Sequence, residues 1–161
     1  MSETTMTMTE LLLLEKCRDI ELLCKDLYDY FAELYADDEL AAGLWKKTAK
    51  EEENHAAQFT LLLRLRRDMP CLLMIDSAKV DSVHSSLQNV IAKVRSTPPK
   101  LVDALHAALK IEKHLADLHI DCVVMFEDDS CRNLFKAMMA NDKDHIASLQ
   151  RAYDLLAGPQ G

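Results

Sequence analysis

Four pairs in this 161-residue chain place an acid three residues before a histidine: Glu52/His55, Asp81/His84, Asp103/His106 and Asp142/His145. On a helix that spacing is almost one turn, so carboxylate and imidazole share a face. Together they offer oxygen and nitrogen donors, a ligand chemistry suited to iron or manganese. With 27 acids and six histidines in the chain, about one such pair is expected at random. The spacing therefore describes a metal site and chance equally well, and face and register must separate the two.

The elements that would carry these pairs are helices. The three glycines are Gly43, Gly158 and Gly161, the four prolines Pro70, Pro98, Pro99 and Pro159, and long stretches free of breakers favour long helices. The pattern predicts a first helix from about Thr9 to Ala36, with Leu14, Cys17, Glu21, Cys24, Tyr28, Phe31 and Tyr35 on one stripe. Asp37 and Asp38 end it and cap a second, from about Glu39 to Asp68, whose inner face carries Trp45, Ala49, Glu52, His55, Phe59 and Leu62. Residues 70–99 form a long crossover containing a shorter amphipathic helix with Val80, Val83, Leu87, Val90, Ile91 and Val94. A helix from about Lys100 to Phe126 turns Leu105, Ala108, Glu112, Ala116, His119 and Val123 inward. The last, from about Arg132 to Ala157, turns in Phe135, Met138, Asp142, His145 and Leu149, and Gly158-Pro159 stops it. The expectation is one all-α domain over 1–161: a four-helix bundle with hairpins at about 9–69 and 100–157 and one crossover.

Glu21 and Glu112 each interrupt an apolar stripe where a leucine would pack, and a lone buried carboxylate is costly without a positive partner. The midpoint of Glu21 and Glu52 falls at the first turn, Ala36/Asp37, so both lie roughly 23 Å from it and face each other. The midpoint of Glu112 and Asp142 is residue 127, in the second turn. The chain thus reads as a duplicated hairpin, a glutamate followed about thirty residues later by acid-x-x-His. Four carboxylates and two histidines then converge, the ligand set of ferritin-like di-metal bundles. Asp103/His106 shares its side with Lys110, Lys113 and Asp117 and reads as a solvated face, and Asp81/His84 has no hairpin partner.

The stretches ELLCKDLYDYFAELY and WKKTAKEEENHAAQF resemble the first hairpin of the rubrerythrin di-iron domain in the ferritin-like superfamily. IEKHLADLH followed by NDKDHIASL resembles its second hairpin. The resemblance covers about 12–68 and 101–156 and leaves the crossover without a counterpart. It implies two iron ions, with manganese or zinc as substitutes, Glu21 and Glu112 as terminal carboxylates, Glu52 and Asp142 as bridges, and His55 and His145 as nitrogen ligands. It further implies an oxidoreductase reacting with hydrogen peroxide, oxygen or ferrous iron, peroxidase-like or ferroxidase-like, in oxidative stress or iron handling. Asp142 departs from the glutamate usual there, and its shorter side chain reaches about 1.3 Å less far. The family's rubredoxin domain has no counterpart, so turnover would need an external electron donor.

Tyr28 and His119 each lie seven residues after a glutamate, at equivalent positions of the two repeats. Tyr28 reads either as a hydrogen-bond donor that orients a ligand carboxylate or as a packed aromatic. For His119 a satisfied interior histidine is the preferred reading over a third nitrogen ligand. Cys17 and Cys24 read as core, with redox sensitivity as the minor alternative. The five cysteines contain no C-x-x-C, so no disulfide framework or zinc ribbon is expected. A net charge of −8 argues against nucleic acid and anionic membranes as partners. The first residues form neither a signal peptide nor a membrane span, which leaves a cytoplasmic protein. The long helices leave side faces for a homodimer. A non-catalytic metal binder or a purely structural helical module is the competing reading.

Overall fold

The computed structural model describes residues 7–65, 76–125 and 129–158, and of residues 123–125 the backbone alone. The chain forms α1 (Met8–Leu34), α2 (Glu39–Leu65), α3 (Ser77–Ser96), α4 (Leu101–Met125) and α5 (Asp129–Ala157). Among the described residues there is no strand, and no helix is long and apolar enough to cross a membrane. The expected continuation of α2 to Asp68, Cys71 and the turn at Glu127-Asp128 lie outside the described residues.

Local chemistry sets the helix ends. Thr7 starts α1 with a capping box: its hydroxyl accepts from the Glu10 amide at 3.2 Å and its own amide donates to Glu10 Oε2 at 2.7 Å, which satisfies two amides that a helix start leaves open. Between α1 and α2 the Asp38 carboxylate accepts from the Ala41 amide at 3.0 Å. Asp38→Ala is therefore expected to cost about 1 kcal/mol, read as a lowered urea midpoint at unchanged slope. Helix α5 begins three residues before the expected Arg132, because Asp129 supplies an acid to its first turn. It ends where Gly158 takes a positive φ of 72° and donates its amide to Asp154 O at 3.2 Å, a backbone position that favours glycine.

Two antiparallel hairpins, α1–α2 and α4–α5, carry most of the packing; α2 meets α5, and α3 lies along α1 and touches α4 more sparingly. Trp45, Tyr28 and Phe31 fill one end of the interior, with Trp45 centred 4.9 Å from Phe31 and 5.6 Å from Tyr28. Toward the other end Phe59 of α2 meets Phe135 of α5 edge-on at 5.4 Å. Burial of these rings and of Leu14, Ile20, Leu27, Leu105, Leu118 and Met138 supplies the apolar drive that pays the cost of ordering the helices. Polar links fix α3 in place: Tyr30 donates to Val94 O at 3.1 Å, and Lys79 pairs with Asp121 of α4 at 2.5 Å.

Candidate metal centre

Between the two aromatic groups the interior turns acidic. Glu21 of α1, Glu52 and His55 of α2, Glu112 and His119 of α4, and Asp142 and His145 of α5 are all buried. They form two donor groups. Ligand atoms of Glu21, Glu52 and His55 lie within 4.8 Å of one another, and so do those of Glu52, Glu112 and His145. Glu52 belongs to both. His55 Nδ1 stands 3.6 Å from Glu21 Oε2 and from Glu52 Oε2, and His145 Nδ1 stands 3.2 Å from Glu52 Oε1 and 3.5 Å from Glu112 Oε2. The two imidazoles stack with centroids 5.8 Å apart, so the groups abut.

Asp142 is the expected ligand that belongs to neither group. Its Oδ2 lies 2.6 Å from His119 Nδ1, while His119 Nε2 lies 2.5 Å from Glu21 Oε1. A side chain one methylene short of glutamate stops at His119. Both ring nitrogens of His119 are thereby engaged, as in a satisfied interior histidine. Tyr28 does the equivalent for the other repeat, donating its hydroxyl to Glu112 Oε1 at 2.5 Å. The residue seven positions after each glutamate thus holds the other hairpin's glutamate. Tyr28→Phe is expected to weaken manganese or ferrous binding at the Glu52/Glu112/His145 group about 10- to 100-fold, measured by chelator competition, with the helical content unchanged.

Sequence reasoning missed Glu51. It sits one residue before Glu52 and thus about 100° around the helix, half-buried with 26 % of its side chain exposed, and it contacts His145 Nε2. The only signal was the run of three acids at 51–53, which does not say which member bends around toward α5. Of the remaining acid/histidine pairs, Asp103 and His106 are exposed. Asp81 is exposed and pairs with Lys16 of α1, with His84 half-buried nearby on α3.

The electrostatics follow from packing anions together out of water. Burial raises Glu52, and the charge of Glu21 raises it further. Burial likewise raises Glu112, helped by the charge of Glu52. For Glu21 burial also acts upward, but the His119 imidazolium beside it prevails and draws the carboxyl down to about 2. Burial opposes charge on His55 and His145 as well. The carboxylates of Glu21 and Glu52 overcome it at His55, which rises to about 10, and those of Glu112 and Glu52 at His145, which rises to about 11. Burial and the Glu112 charge keep the Tyr28 phenol protonated well above its ordinary range, so it remains a donor. Cys24, raised by burial, remains a neutral thiol in the core, and a neutral thiol is a poor metal ligand.

A cation fits this arrangement on one further observation. Both oxygens of Glu52, both ring nitrogens of His55 and of His145, Glu21 Oε2 and Glu112 Oε2 are buried without a properly aligned hydrogen bond, although several lie at ion-pair distance. Each such atom costs about 1–3 kcal/mol when left unsatisfied. These same residues make up the two donor groups, and their mixed oxygen and imidazole chemistry suits iron or manganese better than thiolate-seeking metals. Compared with family models, curated proteins and solved structures, the chain matches none of them.

Proposed function

We propose that this chain is a ferritin-like di-iron carboxylate protein of the rubrerythrin type, an oxidoreductase that reacts with hydrogen peroxide or oxygen. The observation that carries the reading is the pair of donor groups sharing Glu52, in which both Glu52 oxygens, Glu21 Oε2, Glu112 Oε2 and the ring nitrogens of His55 and His145 lack an aligned hydrogen bond. Glu21, Glu52 and His55 would hold one ion, and Glu52, Glu112 and His145 the other. A bound iron pair supplies two electrons, the number needed to reduce peroxide to water. The chain's own residues would then do the positioning. Tyr28 and His119 fix the two outer glutamates, and Phe59, packed 6.3 Å from the His119 ring, walls that side against water. Electrons would come from an external donor. The reading places the protein in the cytoplasm, where its thiols stay reduced.

Elemental analysis of iron-reconstituted protein, beside Glu52→Ala/His55→Ala, tests the assignment. About two irons per chain are expected in the wild type and none in the variant, followed by a change in the visible spectrum when peroxide meets the ferrous form. Folded protein that stays empty would sink it. A second reading, a non-catalytic metal binder, draws on the position of Asp142, which His119 holds away from both donor groups. It predicts iron that leaves on mild chelation and never changes oxidation state.

A further inference from the structure

Away from the acidic centre, α3 and α4 part to leave a groove of about 480 Å³, within the size range of small-molecule sites. We propose that it binds a linear monocarboxylate with an apolar tail, of the medium-chain fatty-acid class. Val83, Leu87, Val90 and Val94 of α3 line it at steps of three to four residues, opposite Ile111 and Leu115 of α4. Leu87, Val94 and Leu115 are buried, whereas Val83, Val90 and Ile111 pack only in part against the core and are half-buried, so these three keep part of their apolar surface open to the groove. From Val83 to Val94 the lining runs about 17 Å along the helix, and an extended twelve-carbon chain spans about 14 Å.

The rim selects the charge of the head group. His106, Lys110 and His114 follow one another at four-residue intervals along α4, so they form one stripe, and Lys93 faces them from α3. Asp103 is the one acid in the lining. Among the described residues neither Lys93 nor Lys110 has an ion-pair partner. In a chain of net charge −8, this is a locally basic edge over an apolar floor, complementary to an anionic amphiphile. No arginine lines the groove, so it lacks the bidentate fork that favours phosphate, and a single carboxylate is the better match.

Isothermal titration of the full chain with dodecanoate, below its micelle concentration, tests this beside dodecyltrimethylammonium, which keeps the tail and reverses the head. One dodecanoate per chain is expected to bind and the cationic amphiphile not to bind. Lys93→Glu/Lys110→Glu should weaken dodecanoate about tenfold or more, on the strength of charge-assisted hydrogen bonds. Val90→Trp, which fills the groove from a half-buried position, should abolish binding while circular dichroism stays unchanged. Equal binding of both amphiphiles, or dodecanoate binding that survives both variants, would overturn the proposal. So would sedimentation showing a dimer that Val90→Trp dissociates, because the groove would then belong to a second copy. The site does not depend on iron: metal-free protein should give the same isotherm, so its failure and that of the di-iron reading are separately visible.

Discussion

Glu52→Leu is expected to remove all stabilisation by metal while making the metal-free protein more stable. Glu52 is the one carboxylate common to both donor groups, so its loss leaves each ion only two of three donors. Wild-type protein should gain about 2.7 kcal/mol of unfolding free energy at a free manganese or ferrous concentration 100 times the dissociation constant, and the variant nothing. Without metal the sign reverses. Both Glu52 oxygens are buried without a hydrogen bond, and burial together with the charge of Glu21 disfavours the ionised form. His55 and His145 keep Glu21 and Glu112 as partners, so exchanging Glu52 for a packed leucine strands no charge and should add about 1–3 kcal/mol by removing an unsatisfied buried group. Urea titrations of both proteins, with and without metal, read both signs in one experiment. A variant still stabilised by metal would remove Glu52 from the centre, and a metal-free variant less stable than wild type would mean that Glu52 is needed to pair with His55 and His145.

Trp45→Ala is expected to cost about 3–5 kcal/mol, the range for truncating a large buried aromatic. Trp45 is fully buried, and its indole nitrogen has no hydrogen-bond partner, so its contribution comes from packing. It lies against Phe31 and stacks on Tyr28, the ring that donates to Glu112. The cavity should therefore reach the candidate metal centre as well, lowering metal affinity at the Glu52/Glu112/His145 group. Trp45→Phe keeps a ring in place and should restore metal affinity before it restores full stability. Chemical denaturation and chelator competition separate the two effects. A loss below about 1 kcal/mol would show that the surroundings collapse into the space, against the rule for tightly packed interiors.

What was legible in the sequence is what a helix and a short turn determine on their own. A rise of 1.5 Å per residue and four-residue side-chain neighbours put Glu52 and His55 on one face. The turn at Tyr35–Asp38 fixes the level at which Glu21 meets them, because a tight hairpin leaves no freedom of register. The five helices follow from the same local rules, with ends misplaced by a few residues at most within the described chain, since a cap such as Thr7 or a first-turn acid such as Asp129 is a single side chain.

Contacts between the hairpins were settled by tertiary packing alone. The rotation of one hairpin against the other depends on the sum of many side-chain volumes, which no spacing records. It gives His119 the position from which it reaches both Glu21 and Asp142, so Asp142 is taken up before it can join a donor group. It brings Glu51 rather than Glu53 onto His145, and it leaves α3 and α4 apart with a basic rim between them. The sequence by itself determined which residue types face inward and at what height, because those follow from chain geometry. Only the folded structure decided which of them touch, because that depends on differences of an ångström in reach between side chains on elements far apart in the chain.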